Sequence, residues 1–363
     1  MRRAFLFLFC LVLLTGGLGY GYVSFDAYRN GSGPNTEEKV VVLPRGAGLS
    51  TIVNQLDQAS VIDHPWLFQL AVRLGGHDRK LKAGEYAFEP GITPNDIIAK
   101  LTEGKSLLRR FTVIEGQTVA EIFRLLDQAE GLVGDLPGKP KEGTLLPETY
   151  LYSQGDTRAH LVKRMQDAMT GVLEDAWAGR EENLPYASPE EALIMASIVD
   201  KETAVAEERF EVAAVFVNRL RLGMRLQSDP TIIYGLTDGE GPLDRELTRQ
   251  DWKLEDPFNT YVIDALPPGP IGNPGKSSIA AVMHPADVDY LYFVADGTGG
   301  HAFAVTLEEH NDNVARWRRI KAGKEQAPRP PSPPRPNPDL SETPSATPSP
   351  ENAATTDQPK PGA

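Results

Sequence analysis

From Ala4 to Phe25 the chain has no charged side chain, and Phe5 to Leu14 is almost unbroken Phe, Leu and Val. As a helix rising 1.5 Å per residue, about 20 such residues span the ~30 Å hydrocarbon layer of a bilayer. Arg2 and Arg3 precede the run. The positive-inside rule then keeps the N-terminus cytoplasmic and exports the rest. The competing reading is a cleaved signal peptide. Gly16, Gly17, Gly19 and Gly21 supply small residues, but no Ala-x-Ala follows the apolar run. Cys10 lies inside the run, not behind it as a lipoprotein cysteine would. The expectation is an uncleaved anchor over residues 1–25, a linker over 26–38 and an extracytoplasmic body. That is the topology of a single-pass inner-membrane protein with a cytoplasmic N-terminus and a periplasmic body.

The far end behaves differently. Between Gly323 and Ala363 there are 12 prolines in 41 residues, one leucine and no aromatic, valine or isoleucine. Such a segment has too little apolar surface to offset its ordering entropy, so residues 323–363 are expected to be a disordered tail. The 363 residues hold 50 Asp+Glu against 37 Lys+Arg, a net charge of −13. That balance disfavours nucleic-acid phosphates as a partner. With Cys10 as the single cysteine, no disulfide or thiolate cluster is available. His64, His77, His160, His284, His301 and His310 have no metalloprotease-like spacing, so neither a metal nor another cofactor is expected.

Three segments share a Gly followed by Ile at +6 and Leu at +10: Gly46–Ile52–Leu56, Gly91–Ile97–Leu101 and Gly116–Ile122–Leu126. In the last two, Thr93 and Thr118 stand three residues before Asp96 and Glu121, the spacing of a helix cap. Each unit therefore reads as strand, turn, capped helix, with Val40–Leu43 and Phe111–Ile114 as preceding strands. Such repetition suits two readings, a common supersecondary solution and a glycan-binding module of LysM-like type over residues 39–106.

One helix carries the most specific chemistry. Ser188-Pro189-Glu190-Glu191 is a strong helix start, with Ser as cap and Pro in the first turn. At 100° per residue, Glu202 falls on the same face as Ile194, Met195, Ile198 and Val205, and Asp200 on the opposite side. A carboxyl on a buried face resists ionisation and so remains available as a general acid. The competing reading is an ion pair between Glu202 and a buried Arg219 or Arg221.

Met195-Ala196-Ser197-Ile198-Val199-Asp200-Lys201-Glu202-Thr203, with Glu142-Gly143 and Pro147–Tyr150 upstream, resembles the endolytic murein transglycosylase family, also called MltG or YceG-like. Val217–Leu220, Met224–Thr231, Asn259-Thr260-Tyr261, Leu266–Ile271 and Tyr290–Ala295 match in the same order. The resemblance implies Glu202 as the catalytic acid. It also implies cleavage of the β-1,4 bond between N-acetylmuramic acid and N-acetylglucosamine without water, leaving a 1,6-anhydromuramoyl end. The family often has Glu where this chain has Asp200. A reaction in which the muramoyl C6 hydroxyl attacks needs no obligatory second carboxylate, whereas hydrolysis uses a pair.

Among the matched motifs, Gln227, Ser228, Asn259 and Tyr261 suit sugar hydroxyls and faces, and equally suit loop and cap satisfaction. Residues 290–305 read as a hairpin. His301, at its turn exit, is a further candidate substrate contact or a plain surface histidine. The expected architecture is α+β: a transmembrane helix, the LysM-like module, a mixed α/β catalytic domain over 107–322, and the tail. Peptidoglycan strands, the inner membrane and membrane-bound synthases are the expected partners. An inactive glycan-binding scaffold and a water-using muramidase are the alternatives.

Overall fold

The computed structural model describes residues 2–328, so most of the expected tail lies outside the described residues. Helix α1 (Arg2–Asn30) contains the apolar segment, long enough to cross a membrane and with none of its span buried. It runs five residues past the expected anchor boundary, and its last turns are docked. Phe25 and Tyr28 pack onto the core of the following module. Arg29 Nε donates to Asn95 Oδ1 at 3.1 Å, and Asn95 Nδ2 donates to Asn30 Oδ1 at 2.8 Å. Asn35 is buried, with Nδ2 donating to Glu89 O at 2.7 Å and Phe88 O at 3.3 Å. Residues 26–38 therefore join helix and module closely rather than forming a free spacer.

The module follows as β1 (Lys39–Leu43), α2 (Leu49–Gln58), α3 (Pro65–Leu74), β2 (Gly84–Phe88) and α4 (Pro94–Glu103). Strands β1 and β2 pair antiparallel with Val41 opposite Tyr86 and Leu43 opposite Gly84. The two-residue alternation sends Val41, Leu43, Tyr86 and Phe88 into the core and leaves Val40 and Val42 outside. The repeated glycines have a physical reason. Gly46, Gly91 and Gly116 have φ of 77°, 66° and 78°, the left-handed turn that reverses the chain before each helix. The paired Ile and Leu of all three units are buried. Thr93 caps α4 by accepting from Asp96 N, and Thr118 forms a full capping box with Glu121.

The third unit belongs to a different core. Strand β3 (Arg109–Thr112) pairs with β4 (Thr149–Tyr152), and α5 (Val119–Gln128) packs there with the start of α6 (Arg158–Ala178). The last core surrounds α7 (Pro189–Glu202), against which α6, α8 (Arg209–Arg221), α9 (Asp229–Thr237) and α10 (Lys276–Met283) pack. The expected hairpin is β5 (Tyr292–Ala295) with β6 (His301–Ala304), followed by α11 (Leu307–Lys321). The described strands pair only in twos, so the body is rich in helix and has no large sheet.

Every residue from Ala192 to Val199 is buried. A helix apolar all round is a core helix, so α7 has no solvent side in its middle. Ser188 caps it as expected, accepting from Glu191 N, while the Glu191 carboxylate reaches one residue further back, to Ala187 N at 2.6 Å.

Candidate active site

Glu202 is the last residue of α7, where the helix emerges from the core into a cavity of about 380 Å³. Arg219, Gln227, Asp229, Tyr261, Phe293 and His310 share the lining. Ser228 Oγ donates to Glu202 Oε1 at 2.5 Å. Burial pushes the carboxyl up to about 7, helped by the negative charge of Asp229 and opposed by the Ser228 hydrogen bond, His301 and Arg219. A carboxyl poised there holds a proton near neutral pH and can also surrender it.

The ion-pair alternative does not hold. Arg219 spends its guanidinium on carbonyls: Nε donates to Leu291 O and Nη1 to Leu226 O, both at 2.7 Å. Its carbon Cζ lies 5.2 Å from the centroid of the Tyr292 ring. Arg219 therefore fixes the hairpin and the segment before Ser228 while projecting positive charge into the cavity. Arg221 is exposed and reaches Asn183 O at 3.3 Å.

The expected substrate contacts divide. Gln227 is exposed on the cavity wall with φ of 53°, a left-handed conformation that a non-glycine residue adopts at some cost. Its N–H donates to Thr260 O at 3.1 Å, and Ser228 N donates to Thr260 Oγ1 at 2.9 Å. These bonds hold the strained turn that presents Ser228 to Glu202. Ser228 itself is buried and bonded to the acid, so it orients Glu202 instead of meeting a ligand. Asn259 is completely buried, giving its Nδ2 to Leu254 O at 2.8 Å and taking Tyr261 N on Oδ1 at 3.0 Å. It is a loop brace, not a substrate contact. Tyr261 lines the cavity, and its hydroxyl donates to Asp229 Oδ1 at 2.7 Å. Desolvation and that carboxylate together push the phenol well above its ordinary value.

His301 is not a plain surface residue. Its Nδ1 stands 2.7 Å from Glu208 Oε2, and its backbone N–H donates to Glu208 Oε1 at 2.9 Å. A carboxylate only accepts, so Nδ1 carries the proton. The Phe293 ring meets the imidazole edge-on at 5.3 Å.

Asp229, Arg219, Phe293, His310 and Glu208 were outside the expected site set. Asp229, Arg219 and Phe293 sit within recognised motifs. Glu208 lies 93 residues from its partner with no local pattern to mark it.

Asp200 points away from this cavity as expected, but not into water. Ser278 Oγ donates to its Oδ1, and its Oδ2 is buried without a partner. Burial raises its pKa, with Ser278 opposing.

Other recognised motifs prove structural. Glu142 accepts from Val119 N at 2.8 Å and Asn273 Nδ2 at 2.9 Å, and burial pushes it up to about 7. Asn273 Oδ1 in turn takes Leu145 N at 2.8 Å. A Cβ at Gly143, whose φ is 82°, would come within 2.6 Å of Pro270. Ile271 N donates to Ser197 Oγ at 3.0 Å. These contacts clamp the proline-rich 266–275 loop between α7 and the β3–α5 unit.

A larger depression of about 760 Å³ adjoins the first, and both are walled by Asp229. Lys201, Tyr234, Arg245 and Trp252 are among its other walls. Trp252 Nε1 donates to Asp229 Oδ1 at 3.1 Å, and the Trp252 and Tyr261 rings lie 6.3 Å apart at 32°. An aromatic pair braced by one carboxylate thus stands between the cavity of Glu202 and the larger depression.

The sequence profile of the YceG-like family matches residues 41–316. The chain belongs to the YceG-like family. Among its relatives is a protein of Bacillus subtilis (strain 168) named endolytic murein transglycosylase. It is 32% identical over 301 residues, covering 74% of this chain and 82% of its own. A protein of the same name from Streptococcus pneumoniae (strain D39) is 28% identical over 360 residues, covering 85% of this chain and 64% of its own. The chain therefore spans just under two thirds of that longer relative. A 2.6 Å crystal structure of a YceG-like protein from Listeria monocytogenes aligns with 77% of this chain and 99% of that one, at 30% identity and a TM-score of 0.46. Glu202, Ser228, Asp229, Tyr261 and His301 all fall inside the YceG-like match.

Proposed function

We propose that this protein is an endolytic lytic transglycosylase of peptidoglycan, anchored in the inner membrane by α1 with its body in the periplasm. The observation that carries the reading is Glu202: a carboxyl raised to about 7 in an open cavity that continues into the larger depression on the far side of Asp229. Cutting within a strand requires room for sugars on both sides of the scissile bond, and the two depressions supply it. The names borne by the relatives point to the same substrate.

In this reading Glu202 protonates the glycosidic oxygen as the bond to muramoyl C1 breaks. The carboxylate so formed then takes the proton of the muramoyl C6 hydroxyl as that oxygen closes on C1. The proton balance returns to its start and no water is consumed. Ser228 aims the carboxyl. Asp229, already anchored by Tyr261 and Trp252, lends negative charge to the oxocarbenium-like centre. Tyr261 and Trp252 offer faces to sugar rings, and Gln227 offers an amide to their hydroxyls. The β1–α2–α3–β2 order of the module supports a LysM-like glycan-binding role beside the cutting domain. Nascent strands leaving membrane-bound synthases are the substrate this placement favours.

Product mass tests the reading. Purified glycan digested by the protein should yield ends one water lighter than hydrolysis products, and Glu202→Gln should yield none. Full-mass reducing ends would identify a muramidase, with Asp229 as the second carboxylate. Binding without any new ends would identify a scaffold.

A further inference from the structure

We propose that the exposed face of α3 bearing Trp66, Leu70 and Leu74 lies in the headgroup layer of the membrane that α1 crosses. The inference rests on the reading of α1 as an anchor and adds a second point of attachment. The three residues are four apart and so form one stripe along the helix. They are 66%, 39% and 70% exposed, while Phe68, Ala71 and Val72 on the other side are buried in the module core. A lone exposed apolar residue is ordinary, but a row of three led by tryptophan calls for a partner.

The place of α3 on α1 says which partner. Leu67 and His64 line one crevice together with Ser24, Ala27 and Tyr28, and Leu74 lines another with Arg29. The Tyr28 hydroxyl donates to His64 O at 3.3 Å. Both ends of α3 thus lie against the last turns of α1. The uncharged run of α1 ends at Phe25, and Tyr20 and Tyr22 stand exposed just before it, where an aromatic belt marks the interface. From Tyr22 to Ala27 the helix rises about 7.5 Å. The polar layer on each side of the hydrocarbon is about 5–8 Å thick. Trp66, adjacent to Leu67, is therefore held at headgroup depth, the level tryptophan prefers.

Charge agrees. In a chain of net charge −13, Arg73 in the last turn of α3 and Arg79 and Lys80 just beyond it are exposed, against Asp63 before the helix and Asp78 after it. An apolar stripe with Trp and Leu beside exposed basic residues is what binds anionic lipid surfaces. Because residues 25–35 are packed onto the module, this second attachment fixes the tilt of the module on the bilayer, which a single helix leaves free.

Full-length protein reconstituted into vesicles of phosphatidylethanolamine and phosphatidylglycerol provides the test. Half of the vesicles carry lipids brominated near the headgroup end of the acyl chain. Tryptophan emission of the wild type should be lower in the brominated vesicles, and Trp66→Phe should abolish most of that difference. Trp177, Trp252 and Trp317 remain in both proteins as a common background. Protein that floats with the vesicles but shows no quenching, or quenching that survives Trp66→Phe, overturns the proposal and leaves the anchor intact; a protein partner on this face would give the former. Protein that does not float at all overturns the anchor reading and this one with it.

Discussion

Replacing Glu202 by Gln should abolish cutting and, at alkaline pH, make the protein more stable. The carboxyl is raised from its ordinary 4.5 to about 7 mainly by burial. For an acid whose folded pKa is raised, the fold is undisturbed below the unfolded value, where the group is neutral in both states. It loses stability as pH climbs from the unfolded value to the folded one, because only the unfolded chain can ionise freely. Each pH unit crossed costs about 1.4 kcal/mol, so at pH 8 ionisation of this one group has cost on the order of 3 kcal/mol. The amide keeps the volume and still accepts from Ser228 through Oε1, but cannot ionise. Thermal unfolding of wild type and variant should coincide at pH 4 and separate by several degrees at pH 8, with the inactive variant the more stable. Glycan cleavage measured on the same samples should fall by at least the ~10²–10⁴-fold that general acid–base catalysis contributes. Equal melting temperatures at both pH values would show that Glu202 is not held in a desolvated, proton-retaining site.

Asp200→Asn should cost less than about tenfold in turnover, well short of the ~10²–10⁴-fold for the acid itself. Because burial raises Asp200 too, that variant should also gain stability as pH rises, seen in a melting series from pH 4 to 8. Asp229→Asn removes the negative charge that helps Glu202 keep its proton, so the alkaline limb of the kcat/KM profile should move to lower pH; a move to higher pH would refute the assignment. Glu208→Gln should lower kcat by about 10–100-fold through a misplaced imidazole and leave KM nearly unchanged. It should add nothing once His301 is already Asn, whereas additive losses would separate the two residues.

Features set by local periodicity and capping were legible in the sequence. The Gly–Ile–Leu repeat located three turn-and-helix units because left-handed glycines and the one-turn Ile-to-Leu spacing are properties of a few adjacent residues. The wheel placed Glu202 on a buried side correctly. It also placed Asp200 on the opposite side, as the structure has it, but amphipathicity along one helix cannot reveal that α10 covers that face too. Ser228 and Asn259 were polar residues in recognised motifs and suited sugar as well as structure. Only their burial, set by partners 26 residues away for Ser228 and by the 251–254 turn for Asn259, decided for structure. The docking of α1 onto α3 and α4 left no trace in composition, since Asn30, Asn35 and Asn95 are as typical of linkers as of hydrogen-bonded joints.

A single carboxyl that must first give a proton and then take one needs surroundings that favour neither state too strongly. Burial and Asp229 hold the proton on, while Ser228, His301 and Arg219 ease its departure. These influences reach Glu202 from different parts of the chain: Ser228 and Asp229 from the start of α9, Arg219 from α8, His301 from β6. Two of the helpers are held independently of Glu202, Arg219 by the carbonyls of Leu226 and Leu291 and His301 by Glu208. The Arg219 charge therefore stays in place whichever protonation state the acid is in. Were Arg219 paired directly with Glu202, the carboxylate would be stabilised outright and the proposed acid step lost. Keeping the Arg219 charge near but otherwise engaged is what would let one residue serve both steps of the proposed reaction.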